Sequence, residues 1–237
     1  QRTLFGFNDG FDTINELNDK FTPLSILLNR LLSEKYTGKK IKFLNLFFYE
    51  NSEKLQKAYG EDYFLHYYGG QFTYKKVMDY EHFLRLDFPD QKLFIWQKAY
   101  EMLQFAGKQL KNESLLISSE YAYHKGLEIN LYVDYRIMEI DIYLYGEDYK
   151  AALWVNFLED KMEANFTLEK ENKIVVKKKI DEGPNGMEFF LAMFKKIEQK
   201  DNSIIIRGAK DLNYLPLKIN FKKHEGTVLI DNLNESI

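Results

Sequence analysis

The residues that could do chemistry in this chain are carboxylates. Glu139 and Asp141 stand two apart in an alternating run, so on a strand they project to the same face, and Asp134 and Glu128 precede them on what reads as the neighbouring strand. Such a set could hold a divalent ion, with a lysine from Glu159-Asp160-Lys161 or Glu171-Asn172-Lys173 to activate water, which is the working arrangement of a metal-dependent hydrolase or nuclease. The same acids alternate with Ile137, Ile140 and Ile142, the pattern of the solvent face of a half-buried sheet. That second reading needs no ion, and it is preferred. Other chemistry is thinly represented. There is no cysteine, hence no thiol nucleophile, disulfide or thiolate metal site. The four histidines, His66, His82, His124 and His224, are scattered. His66 and His82 could face each other across a hairpin at Gly69-Gly70, but no third ligand is identifiable. His224-Glu225 opens like a zinc-protease motif and lacks its second histidine. Neither a nucleophile-elbow glycine pattern nor a phosphate-cradling loop is present. The expectation is therefore a protein without catalytic residues or cofactor.

The elements that would position these groups follow from hydrophobic period. Asp12 to Tyr36 reads as a helix, with Ile14, Leu17, Phe21, Leu24, Leu28, Leu31 and Leu32 at three- and four-residue spacing and Pro23 marking a kink or a junction. Lys40 to Glu50 reads as a strand buried on both faces, Asn51 to Tyr59 as a short helix, and Tyr63 to Tyr68 with Phe72 to Asp87 as a hairpin. Asp90 caps a helix running to about Lys111, and a further helix spans Ser114 to Lys125, ending at Gly126. From Leu127 the period becomes two and stays so to about residue 180, with polar turns at hairpin distance, which implies an antiparallel meander. A break at Glu182 to Gly186 introduces a helix at Met187 to Gln199, followed by short strands at Ser203 to Arg207, Leu217 to Phe221 and Thr227 to Ile230. The fold class is α+β. No linker or charge block divides residues 1–237, so one domain is expected, with 87–90 as the alternative division point. The segment Tyr59-Gly-Glu-Asp-Tyr63 recurs as Tyr145-Gly-Glu-Asp-Tyr149, but the flanks differ, so it reads as two similar turns: the first closes a helix and the second turns a hairpin.

Composition narrows the function. The charge is nearly balanced, 33 Lys+Arg against 36 Asp+Glu, and arginine is confined to positions 2, 30, 85, 136 and 207, which argues against a nucleic-acid or anionic-membrane binder. No apolar run approaches the roughly 20 residues of a membrane span. Gln1 is not an initiator; a cytoplasmic location is expected, or a periplasmic one if Gln1 follows a cleaved signal peptide. The surplus is aromatic, with 17 Tyr and 19 Phe. Tyrosines interleave with acids at Glu61-Asp62-Tyr63, with Tyr67 and Tyr68 close by, and at Glu147-Asp148-Tyr149. Stiff amphipathic rings anchor interfaces while acids steer a basic partner, so these eight residues are the expected partner-binding set. A sugar-stacking role for the tyrosines is the periplasmic alternative.

The run from Phe83 to Lys111, in which a strand ending in Leu86-Asp87-Phe88 leads to the helix Asp90 to Lys111, then a second helix and the meander, resembles the layout of bacterial immunity-type proteins, the inhibitors that neutralise a cognate toxin. The resemblance covers about a third of the chain. It implies binding through an acidic surface to a basic protein partner such as a toxin, and no catalysis, and it carries over no functional residue.

Overall fold

The computed structural model describes residues 2–7, 14–39, 41–50, 52–61, 63–185, 190, 192–210 and 212–235. The chain is α+β and divides into two compact units, 1–133 and 134–237. The segment 87–90 lies inside the first of them.

The first unit opens with strand β1 (Arg2–Phe7), helix α1 (Ile14–Lys35) and strand β2 (Phe43–Tyr49). Helix α2 (Ser52–Tyr59), strands β3 (Tyr63–Tyr68) and β4 (Gln71–Val77), and helices α3 (Tyr80–Arg85), α4 (Phe88–Gln109) and α5 (Glu113–Glu128) follow. The sheet order is β1-β2-β4-β3, with β1, β2 and β4 parallel and β3 antiparallel to β4. Helix α1 runs unbroken through Pro23 because its apolar stripe, Leu17 to Leu32, is buried along its length, which offsets the one backbone bond that proline removes. Phe7 sits at the focus of the core, its ring 5.5 Å from Phe48, 5.7 Å from Phe21 and 5.9 Å from Phe83.

Several expected boundaries shift. β2 is not buried on both faces: Leu44, Leu46 and Phe48 point into the core, while Phe43 and Phe47 are exposed or half-exposed on the other side. β4 stops at Val77, and Asp79 caps α3 by accepting from the His82 amide, so His82 is helical and does not face His66 across a hairpin. The cap of α4 is Asp87, accepting from the Asp90 amide at 2.9 Å, with Pro89 in the first turn; Asp90 therefore lies one turn inside. α5 continues past Gly126 to Glu128, since this glycine serves packing, not termination. A Cβ there would stand 2.3 Å from the Trp96 ring, whose Nε1–H donates to the Tyr123 carbonyl at 3.1 Å. Leu127 and Glu128 are thus helical. Leu131 is buried in the core of this unit, with Ile129 and Val133 half-buried against it, so the alternation of these residues is not a strand.

The elements of the second unit that are described from end to end are strands, and Phe190 and Ala192 are helical residues ahead of the fifth of them. Strands β5 (Tyr135–Leu144), β6 (Glu147–Phe157), β7 (Lys161–Lys170) and β8 (Lys173–Pro184) form one antiparallel meander. Strands β9 (Phe194–Lys200), β10 (Ser203–Gly208), β11 (Leu217–His224) and β12 (Thr227–Glu235) form another. Both sheets contribute to one core, where Phe166 of β7 lies 6.1 Å from Phe221 of β11. The helix expected over Met187 to Gln199 is overturned from Phe194 onward, which is β9. Its Phe194 and Ile197 face that core, while residues 186–189 and 191 lie outside the described residues. The apolar spacing there fits a bulged strand as well as a helix. The Tyr-Gly-Glu-Asp-Tyr echo is two turns: Gly60, at φ 81°, follows α2, and Tyr145-Gly146, at φ 53° and 87°, makes a primed hairpin turn between β5 and β6. Among the described residues no helix is long and apolar enough to cross a membrane.

Replacing Gly126 by Ala forces its Cβ into the Trp96 ring and is expected to destabilise the first unit by about 2–3 kcal/mol. Urea unfolding followed by Trp96 fluorescence in a Trp154→Phe background checks this, and an unchanged midpoint would mean that the ring has room to move.

Candidate functional site

The outward face of β5, β6 and β7 carries a polar chain that the strand register builds. Asp141 pairs with Lys150 across β5 and β6, and Lys150 with Glu169 across β6 and β7. Lys150 Nζ stands 2.8 Å from Asp141 and 3.2 Å from Glu139, so these two acids are bound to a lysine and to each other's counter-ion. Arg136 bridges Glu139 and Glu169, the latter at 2.7 Å, and its guanidinium lies 4.7 Å over the Trp154 ring. Trp154 Nε1–H donates to Thr167 Oγ1 at 3.1 Å, and Thr167 donates to the second oxygen of Glu169 at 3.1 Å. Glu169 is only 6% exposed, although it points away from the sheet-on-sheet core. A second branch runs from Asn165 to Asn156 at 2.9 Å and from Asn156 to Asp134 at 2.9 Å, while Asp134 also accepts from the Phe157 amide.

At the turn end of this face lies a cleft of about 590 Å³. Its walls carry the carboxylates of Asp141, Asp148, Glu169 and Glu171 and one cation, Lys150. Tyr143, 60% exposed, stands at the rim. Gln199 closes one side: it donates to the Tyr143 carbonyl at 2.8 Å and accepts from the Tyr143 amide at 3.3 Å, so a side chain substitutes for a ladder between β5 and β9. Beside the cleft, Tyr149 donates to Glu147 at 2.6 Å and Lys170 pairs with Glu147 at 3.1 Å. The Tyr149 hydrogen bond, then Lys170, holds the Glu147 carboxyl below its ordinary range. Burial, then Glu147, pushes the Tyr149 phenol from 10 to about 12. Arg136, then Lys150, holds Glu139 low, and Asp141, then Glu139, holds Lys150 high.

The eight residues expected to bind a partner separate into two sets on different units. Glu61 and Tyr63 are exposed, and Asp62 lies outside the described residues. Tyr67 and Tyr68 are exposed on β3, but Tyr63 and Tyr67 project to one face of that strand and Tyr68 to the other. Asp148 lines the cleft and Glu147 flanks it, whereas Tyr149 is buried, its ring part of the core instead of a surface anchor. Of the four alternative carboxylates, Glu128 closes α5, paired with Lys125, and is not on a neighbouring strand; Asp134 holds backbone and amide. Among the described residues no three His, Asp or Glu side chains are grouped to hold a metal ion. Sequence reasoning missed Arg136, Thr167, Glu169 and Glu171. The alternation Glu163, Asn165, Thr167, Glu169 was a visible signal of an outward polar face, but not of its burial. Chemically, the cleft offers carboxylate oxygens and a phenol to a cationic group. In comparison with known proteins, no family model, no curated protein and no solved structure matches this chain.

Removing Arg136 leaves Glu169 buried without its guanidinium, so Arg136→Ala is expected to cost about 3 kcal/mol or more, with Arg136→Lys between it and wild type. Urea unfolding followed by Trp154 fluorescence measures both. The phenol of Tyr149 sets a pH limit with a definite sign. Its pKa in the folded protein lies above the ordinary 10, so its contribution is intact below pH 10 and is lost between 10 and about 12. The urea midpoint of Tyr149→Phe is expected to fall less steeply across that interval than that of wild type.

Proposed function

We propose that this chain is a non-enzymatic protein-interaction protein that binds a basic partner, with the acidic cleft of the second unit as the contact, in the manner of an immunity or inhibitor protein. The observation that carries this reading is the charge of the cleft. Four carboxylates and one lysine line it; Asp141 is engaged by that lysine and Glu169 by Arg136 and Thr167, which leaves Asp148 and Glu171 for an incoming cation. A guanidinium or ammonium entering there meets the exposed carboxylates of Asp148 and Glu171, which also raise the rate of encounter with a cationic surface. The exposed ring of Tyr143 at the rim gives such a partner an apolar contact beside the charge. Arginine-rich segments fit better than lysine-rich ones, because carboxylates on neighbouring strands match a planar fork.

Fluorescence anisotropy with a labelled octa-arginine peptide tests the reading. The peptide is expected to bind wild type at low salt and to weaken steeply as salt rises. Asp148→Asn with Glu171→Gln should weaken it by about tenfold, and a charge-matched control, Asp160→Asn with Glu225→Gln, should leave it nearly unchanged. Equal loss in both double variants would mean that net charge, not the cleft, governs binding, and would overturn the assignment.

A further inference from the structure

The first unit's sheet ends on one side in β3, whose residues Tyr63–Tyr68 include no lysine, arginine, acid, proline or glycine. Its pairing with β4 runs without a break in register. Among the described residues no strand flanks β3 on its other side, so that edge presents a row of backbone N–H and C=O groups. The outer strands of the second unit are blunted by comparison. β5, β8, β9 and β12 each pair with their neighbour through a shifted register, and β8 also bears Lys173, Lys177, Lys178 and Lys179. Register breaks and lysines keep a sheet edge from pairing with another chain, and β3 has neither.

The order of its side chains says what fits this edge. Tyr63, Phe64, Leu65, His66 and Tyr67 read nearly alike in both directions about Leu65, with a tyrosine at each end and a planar ring beside each tyrosine. Leu65 packs on the first core and the Tyr63 ring stands edge-on to Phe105 at 5.9 Å, while Phe64 and His66 stack at 5.9 Å on the opposite face. Residues opposite one another on adjacent strands share a face. A two-fold axis through Leu65, perpendicular to the sheet, meets that condition. Tyr63 then faces the partner's Tyr67, Phe64 faces the partner's His66, and Leu65 faces its own counterpart. These are apolar and aromatic pairs, which favour cross-strand association, and Glu61 falls opposite the partner's Gly69 and not opposite a like charge. An axis through His66 would instead oppose two imidazoles and set Tyr63 against the partner's Gly69, which at φ 58° has left strand geometry. Tyr63, His66 and Tyr67 are exposed in the single chain, so the pairing has ring surface to remove from water.

We infer that β3 is a self-association edge: two copies of the chain join antiparallel through β3 about Leu65 and continue one four-stranded sheet into the other. Such a contact uses the same patch on both copies and closes at two. Five residues a side is well below the roughly 20–30 of a standard interface, so the dimer is expected to form at about 10–100 μM.

Sedimentation equilibrium of the full chain tests this. From about 5 to about 500 μM, the average mass of wild type is expected to rise from 28.3 kDa towards twice that value. His66→Lys, which adds the edge charge that β3 lacks, should weaken association about tenfold. Ile174→Lys, which puts the same charge on the already blunted edge strand β8, should leave association unchanged. The chain contains no cysteine, so a single introduced one can form a disulfide only between copies. With oxidised glutathione, Leu65→Cys should cross-link, because residues on the axis face each other within disulfide reach, and His66→Cys should not. Wild type that keeps its monomer mass at the highest concentration would overturn the inference, and this arm requires no variant to fold. Folded His66→Lys associating as tightly as wild type would place the contact on another surface and overturn it too. Cross-linking of His66→Cys in preference to Leu65→Cys would overturn the register about Leu65.

Discussion

The second unit depends on one buried carboxylate. Glu169 projects from β7 to the side opposite the apolar core, yet it is almost fully enclosed. A carboxylate so placed must be bonded on both oxygens or become neutral. Arg136 takes one oxygen and Thr167 the other, and each is then fixed by Trp154, Arg136 by lying over the ring and Thr167 by accepting its N–H. That requirement couples three strands laterally, through side chains, in addition to the backbone ladder. It also sets the character of the cleft. With Arg136 committed to Glu169 and Glu139, and Lys150 to Asp141 and Glu139, the cations of this face are already used, and the remaining acids give the cleft its sign.

The parts of this fold that were legible in sequence are those where burial alone decides. α1, the β3-β4 hairpin at Gly69-Gly70 and the four-strand meander each have a clean period and an unambiguous turn. The errors come where one residue has two physical uses. Gly126 can end a helix or admit a ring, and only the position of Trp96 decides for the second. Asp87 and Asp90 can both cap α4, and Pro89, whose missing N–H costs nothing in the first turn, lets the helix start at Phe88 with Asp87 accepting from the Asp90 amide. Ile129, Leu131 and Val133 alternate like a strand, but they belong to the turn after α5 and pack on the first core. The polar chain was legible as an outward face and no further. Burial of Glu169 depends on long side chains from adjacent strands, which a period-two pattern does not encode.

The aromatic surplus has three destinations. Phe7, Phe21, Phe48 and Phe83 fill the first core around a single ring, and Tyr149, one of the residues read as a surface anchor, belongs to the second core. Tyr68, Tyr143 and Tyr63 remain exposed. A third group, Phe47, Tyr49, Tyr59 and Phe64, is neither core nor free surface, because it surrounds a charge. Tyrosine count alone does not separate these roles. The separation comes from strand parity: on β2, Leu44, Leu46 and Phe48 face inward, which obliges Phe47 to face the side where Lys75 stands.

The chain thus holds its cations by two contrasting means, and their dependence on solvent differs. Lys150 is held by carboxylates at a partly open surface, where mobile ions screen the attraction and an incoming cation can exchange partners. Lys75 is held by the hydroxyl oxygens of Tyr59 and Tyr49, neutral acceptors whose short-range dipoles leave little for salt to screen. A carboxylate-lined cleft therefore suits a hydrogen-bonding cation such as a guanidinium, whereas two phenol oxygens hold a lysine without a counter-charge.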